Sequence, residues 1–264
     1  MKGIVLAGGT GSRLYPLTRV TNKHLLPVGR YPMIYHPVAK LAEAGIVDIL
    51  VVTGPEHIGD MVGVLGSGRD VGLRFTYKVQ DRAGGIAQAL SLAEGFVQSD
   101  EPYVVILGDN IFQDSIAPWI DRFRHQKLGS RIVLKEVEDP QRYGVAVLRG
   151  DQIVRIEEKP LIPRSRLAVT GIYMYDAWAL DVIRTLRPSD RGELEITDVN
   201  NSYIQKGEME YDIAGGWWTD AGTLESYVTA NQLSDGLQLS LFETHRTHRP
   251  PSGTRGGVES DPLQ

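Results

Sequence analysis

Residues 2–14 read Lys2-Gly3-Ile4-Val5-Leu6-Ala7-Gly8-Gly9-Thr10-Gly11-Ser12-Arg13-Leu14. A short apolar run, Gly3 to Ala7, ends on glycines, the pattern of a buried parallel strand running into a tight turn. Glycines let a backbone turn sharply, expose its N–H groups and approach a ligand closely, so such a loop suits phosphate. Two familiar phosphate motifs are excluded. A P-loop closes on Gly-Lys-Ser/Thr, and there is no lysine between Gly3 and Arg19. A dinucleotide fingerprint needs a third glycine where Leu14 stands and an acid about 20 residues on, whereas the first acidic residue is Glu43. What remains is a phosphate cradle with Arg13 as its cation and Lys23 as a second one. The plain alternative is a tight turn with a surface arginine.

Working outward, strand-like and helix-like segments alternate. Asp48–Thr53, Leu73–Val79 and Tyr103–Leu107 read as strands, and Met33–Ala44, His57–Leu65 and Ile86–Val97 as helices. This alternation implies βαβ units around a parallel sheet. Ligands of such sheets bind at the carboxyl ends of the strands, which places the Gly8–Arg13 loop and Asp109 on one edge. The second half is mixed. Strands are expected at Ile132–Val137, Val145–Leu148, Ile153–Ile156, Val169–Tyr175 and Glu208–Ile213, and helices at Ala177–Leu186, Glu195–Gln205 and Leu224–Leu233. Gly150-Asp151 joins two of the strands as a hairpin. From about Ser240 the composition turns to Pro, Gly, Ser, Thr and Arg, the signature of a disordered tail. His245 and His248 in that tail are not expected to hold a metal. Trp119 and Trp178 are expected in the core.

With 42% hydrophobic residues in 264, the chain can build a full core. The absence of cysteine excludes disulfides, thiolate zinc sites and a cysteine nucleophile. No signal peptide or membrane span is apparent, so a soluble cytoplasmic protein is expected. A net charge of −5 argues against nucleic acid. The charge is unevenly spread: Met1–Ala42 contains Lys2, Arg13, Arg19, Lys23, Arg30 and Lys40 and no acid. A basic, glycine-rich opening on an acidic protein suggests an anionic ligand.

Leu6–Leu14, followed by Lys23-His24-Leu25-Leu26-Pro27, resembles the signature of the sugar-1-phosphate nucleotidyltransferases. Further segments are similar to the thymidylyltransferase branch of that family: Tyr77–Gln80, Gly85–Ala89, Gly108–Phe112, Arg142–Val145, Glu157–Pro160, Val169–Gly171, Arg191–Asp198 and Trp218–Thr223. The resemblance covers residues 1 to about 233, taken as one catalytic domain, with 234–264 as a short tail. It implies a Rossmann-like α/β fold with a mostly parallel central sheet flanked by helices and a smaller mixed sugar-binding part. One departure is His24, where the family pattern has glutamine, expected near the nucleotide.

By resemblance, Leu6, Ala7, Gly8, Gly9, Gly11, Ser12, Arg13, Lys23, Gln80 and Gly85 bind the nucleotide. The Gln80 amide can meet the imide edge of thymine or uracil, and Gly85 would admit the base closely. Asn110, Tyr143, Gly144, Glu158, Lys159, Val169 and Arg191 bind the sugar phosphate. Asp109, at the end of an apolar strand, and Asp220 hold Mg²⁺, which takes oxygen ligands. From position alone Asp220 also reads as a helix N-cap, and Glu158-Lys159 as a solvated pair. The implied reaction is attack by glucose 1-phosphate on the α-phosphorus of dTTP or UTP, with pyrophosphate leaving in a single displacement. Arg13, Lys23, Asp109, Lys159 and Asp220 would carry it. Alternatives are another base or hexose phosphate, a nucleotide-sugar-binding regulator without turnover, and a nicotinamide oxidoreductase, the last opposed by the failed fingerprint. A homo-oligomer is expected. Longer members of the branch continue into helices that form subunit contacts and an inhibitory site. Here Pro250-Pro251 bars such a helix, so an intact core, a weakened regulatory site and an altered oligomer are expected. The apolar cluster Leu237, Leu239, Leu241 and Phe242 would cover a neighbouring surface.

Overall fold

The computed structural model describes residues 1–126 and 129–243. Strand β1 (Lys2–Ala7) is flanked on both sides by parallel partners, β4 (Asp48–Thr53) and β6 (Tyr103–Leu107), with Ala7 opposite Thr53 and Leu6 opposite Leu107. β5 (Arg74–Val79) extends the parallel part beyond β4. The other half is mixed. β11 (Leu167–Tyr175) runs antiparallel to β6, to β8 (Ser130–Glu136) and to β9 (Gly144–Arg149). The hairpin partner β10 (Gln152–Glu158) closes one edge, and β12 (Met209–Ile213) lies parallel to β8. The nine strands follow the order β10-β9-β11-β6-β1-β4-β5, with β8 and β12 branching from β11. Two short ribbons stand apart: β2 (Pro27–Val28) with β3 (Tyr31–Pro32), and β7 (Asn110–Phe112) with β13 (Trp218–Asp220).

Because side chains alternate along a strand, each buried strand feeds two cores. Ile4, Leu6, Leu50 and Val52 face one side and pack under helices α3 (Ile86–Ser91), α5 (Trp178–Thr185) and α6 (Ile196–Lys206). Val5, Ala7, Ile49 and Val51 face the other, under α1 (Tyr35–Glu43), α2 (Ile58–Leu65) and α4 (Ala117–His125). A separate core of Leu14, Leu26, Val28, Met33, Ile111, Ala221 and Ala230 ties the loop after β1 to β7, β13 and helix α7 (Leu224–Leu233). The ends of the chain that carry Arg13 and Asp220 are thus fixed to each other.

Most boundaries match the sequence reading within two or three residues. α3 is shorter: it stops at Ser91, and the carbonyls of Glu94 and Phe96 accept from Lys78 and Lys2 Nζ at 2.7 and 2.6 Å instead of continuing a helix. α4, with Trp119 buried in it, is an addition to that reading. Trp178 packs against the core and stacks under Lys206. Asp220 is no N-cap; Thr223 caps α7 in a reciprocal pair with Ser226. Leu239 is buried with Tyr31 and Ala39, and in the one-turn helix α8 (Ser240–Glu243) Phe242 stacks on Tyr35 at 3.8 Å, so the apolar cluster covers α1 of its own chain. The disorder expected from about Ser240 does not hold for Ser240–Glu243, which form α8; His245, His248, Pro250-Pro251 and the rest of the tail lie outside the described residues. Among the described residues, no helix is long and apolar enough to cross a membrane.

Candidate active site

A cleft of about 350 Å³ opens at the carboxyl ends of β1 and β6 and runs toward β10 and the start of α6. Its floor at one end is the glycine loop. Gly8 is required by close approach: a Cβ there would stand 2.3 Å from Gln80 Oε1. Gly9 and Gly11 have φ of 91° and 62°, which glycine adopts freely. The Gly11 carbonyl accepts from Leu14 N and Thr18 Oγ1, both at 2.9 Å, and this fixes the turn that presents Arg13.

Lys23 comes from a short 3₁₀ turn capped by Asn22, whose Oδ1 accepts from His24 N at 2.9 Å and from His24 Nδ1 at 2.7 Å. His24 is buried against Gly108, and burial together with the Lys23 ammonium pushes its pKa down to about 3. It is therefore a neutral wedge in the cleft wall. Lys23 Nζ reaches Asp109 Oδ2 at 2.6 Å. Burial disfavours the Asp109 carboxylate, but the Lys23 charge and hydrogen bond outweigh it and hold the group well below the usual carboxylate range.

The β7–β13 ribbon sets Asp220 opposite Asn110, and Ala221 N donates to the Asp109 carbonyl at 2.8 Å. A methyl group placed on Gly222 would stand 3.3 Å from Asp220 Oδ2, 3.5 Å from Asp109 Oδ2 and 3.4 Å from Arg13 Nη2. The two carboxylates and the guanidinium therefore converge. Burial and the neighbouring Asp109 charge both raise the Asp220 pKa. Tyr143 Oη donates to Asp220 Oδ1 at 3.1 Å, and Arg142 Nη2 lies 3.3 Å from the same oxygen. Asn110 is fully engaged in holding this region: its Oδ1 accepts from Gly171 N at 3.0 Å and Trp218 Nε1 at 2.7 Å, while Nδ2 donates to Asp109 Oδ1 at 2.9 Å. The register shift in β11 between Val169 and Tyr173 makes room for it, and a Cβ on Gly171 would meet Asn110 at 2.6 Å.

At the other end the walls are side chains. Glu158 Oε2 accepts from Thr197 Oγ1 at 2.5 Å, and Arg191 Nη2 meets Glu195 Oε2 at 2.7 Å, Glu158 Oε1 at 3.2 Å and Glu193 Oε2 at 3.6 Å. Lys159 has φ of 42°, a left-handed conformation that costs a non-glycine residue about 1–3 kcal/mol and persists only where surroundings enforce it. Its N–H donates to the Tyr143 carbonyl at 3.0 Å, and its Nζ stands 3.8 Å from Glu158.

The cleft brings together Leu6, Gly8, Gly9, Arg13, Lys23, Gln80, Gly85, Asp109, Asn110, Tyr143, Gly144, Glu158, Lys159, Val169, Arg191 and Asp220. Of the residues the sequence singled out, Ala7, Gly11 and Ser12 are not on its wall; Ala7 is wholly buried in the core. Sequence reasoning missed Arg142, Glu195, Thr197 and Trp218, which all line it. Each sits inside a motif already quoted, one to six residues from a named site residue.

The nucleotidyl transferase family matches over residues 2–235. The chain belongs to that family. It is 45% identical over 253 residues to glucose-1-phosphate thymidylyltransferase of Neisseria meningitidis serogroup A, covering 92% of this chain and 88% of that one. A Bacillus anthracis structure assigned as a glucose-1-phosphate thymidylyltransferase, solved with sucrose, superposes with a TM-score of 0.87 at 58% identity, over 90% of this chain and 96% of the other. UDP-glucose pyrophosphorylase complexed with UDP-glucose superposes with a TM-score of 0.76 at 25% identity, over 88% and 97%. The chain is thus an enzyme of nucleotidyl transfer, and its family generally uses a divalent metal.

Proposed function

We propose that the chain transfers the thymidylyl group of dTTP to α-D-glucose 1-phosphate, giving dTDP-glucose and pyrophosphate, in the cytoplasm and as a homo-oligomer. The observation that carries this reading is the convergence of Arg13, Lys23, Asp109 and Asp220 at one end of a cleft that holds Lys159, Glu158 and Arg191 at the other. The names of the relatives supply the sugar and the base; the Gln80 amide supports an imide base.

A sugar 1-phosphate is already an anion at neutral pH, so its attack needs no strong general base. The obstacle is the repulsion between two polyanions that must meet in line. On this reading the Gly8–Arg13 loop holds the triphosphate, Arg13 and Lys23 stabilise charge on the transferring phosphate, and Lys159 holds the incoming phosphate while Glu158 accepts sugar hydroxyls. Asp109 and Asp220 fit Mg²⁺: both are oxygen donors, they converge, and the pKa of Asp220 is raised by burial and by the like charge of Asp109, which a cation would relieve. When bound there, the ion would neutralise phosphate charge and polarise the phosphorus.

Pyrophosphate release and nucleotide-sugar formation with dTTP, UTP, dCTP or ATP and glucose 1-phosphate test the reading. Efficient turnover with dTTP is expected. No pyrophosphate from any pairing would refute it.

A further inference from the structure

The two ends of a glutamine carboxamide are chemically opposite, one donating and the other accepting. Gln80 is buried at the nucleotide end of the cleft, and which of its ends meets a ligand depends on what holds the other. Nε2 donates to Gln88 Oε1 at 2.7 Å and to the Gly85 carbonyl at 3.4 Å. A carbonyl only accepts, so the nitrogen must face it and the sense of the amide follows. The long contact to Gly85 selects that sense; the short one to Gln88 holds it. Oε1 then lies over Gly8, and no described residue donates to it. An acceptor left open to the cleft is free to take a donor from the ligand.

Gln88 is not itself on the cleft wall. It sits in the first turn of α3 beneath Gly84, where a Cβ would stand 3.0 Å from Gln88 Cγ. We infer that Gln88 is a positioning residue that determines base specificity: by holding the Gln80 nitrogen it presents the Gln80 oxygen to the base and selects a ring N–H. Thymine and uracil carry that N–H at N3. Cytosine has an acceptor there, so to bind it Gln80 must turn over, facing its oxygen to the Gly85 carbonyl and keeping a bond to Gln88 only if that amide turns over too. This inference rests on Gln80 contacting the base.

The test is kcat/KM for dTTP and dCTP, with glucose 1-phosphate, in the wild type and in Gln88→Met, Gln88→Leu and Gln88→Glu. Methionine and leucine fill the space without a strong acceptor, so the dTTP:dCTP ratio falls about tenfold, the worth of one hydrogen bond. Either apolar variant serves if the other does not fold. A carboxylate still accepts from Nε2 and cannot turn over to donate, so Gln88→Glu keeps the ratio at or above that of wild type. Equal losses for both nucleotides in the apolar variants, or loss of discrimination in Gln88→Glu, overturn the inference while leaving the function intact. A wild type that favours dCTP, or does not use dTTP, overturns the functional reading and the inference with it.

Discussion

The two ends of the cleft are built on different principles. The end under β1 and β6 is made of backbone: glycines at positive φ, a fixed turn, and cations pressed onto two converging carboxylates. The end near β10 and α6 is made of side chains, and its arginine is already surrounded by Glu158, Glu193 and Glu195. A phosphate entering the first end meets the glycine backbone and Arg13, with Lys23 tied to Asp109 at 2.6 Å. One entering the second must compete with carboxylates for Arg191, whereas Lys159, half exposed and 3.8 Å from the Glu158 carboxylate, is open to it. Catalytic charge stabilisation should therefore reside at the first end and adjustable affinity at the second.

The sharpest way to break this contrast is at the carboxylates. Asp109→Asn and Asp220→Asn should each nearly abolish turnover, and excess EDTA should do the same. Their effects on stability should diverge. Removing the Asp109 charge strands the largely buried Lys23, at a cost of about 3 kcal/mol in urea unfolding. Asp220 is disfavoured in its ionised form by burial and by Asp109, so Asp220→Asn without metal should leave stability unchanged or higher. Equal losses of stability would show that the two carboxylates are not held differently. Arg13→Ala comes next. It should cost about 2.7–4 kcal/mol of transition-state stabilisation, seen in kcat. Wild-type kcat with only a raised KM would remove Arg13 from the chemistry.

The same division decides what was legible in the sequence. Asp48–Thr53 and Tyr103–Leu107 are buried on both faces, so they read as unbroken apolar runs, and their bounds coincide with the strands. The glycine loop and Asp109 follow from where those strands end. β7 and β13 are only three residues each and pair across a gap of about a hundred positions, which no local period can report. Without that ribbon, Asp220 looks like a helix cap. α4 buries only Trp119, Ile120 and Phe123 amid charged residues, too narrow a stripe to stand out. The ends of α3 and the roles of Arg142 and Glu195 depend on partners distant in the chain or supplied by folding, and propensity is silent on them.

At the second end, Lys159→Ala should raise KM for glucose 1-phosphate by the worth of a hydrogen bond to a charged group, about 1.5–3 kcal/mol. Arg191→Ala should weaken binding by clearly less, because the carboxylates already claim the guanidinium and a phosphate gains only the difference. Isothermal titration with glucose 1-phosphate compares the two directly. An Arg191 effect equal to that of Lys159 would mean that the acidic cage opens on binding.

The smallest effect concerns acid. Burial and the Lys23 charge lower the His24 pKa to about 3, and burial lowers that of His36, whose Nε2 lies 3.1 Å from the Val28 carbonyl, to about 4. Both belong to the glycine-loop end of the molecule; among the described residues no histidine lines the Glu158–Arg191 end of the cleft. Each is neutral in the fold but would take a proton at about pH 6.5 when unfolded. Below that pH the unfolded chain binds more protons, so stability falls with acid. The contribution of each histidine is complete above about pH 6.5, is lost at about 1.4 kcal/mol per pH unit below it, and levels off near the folded value. His36→Gln, which retains a donor for Val28, should flatten the dependence of urea stability on pH between about 6.5 and 4 by that slope. His24→Gln should do the same while keeping a side chain able to meet Asn22. If neither variant changes the slope, the acid sensitivity lies elsewhere, and the carboxylate cage of the second end becomes the place to look.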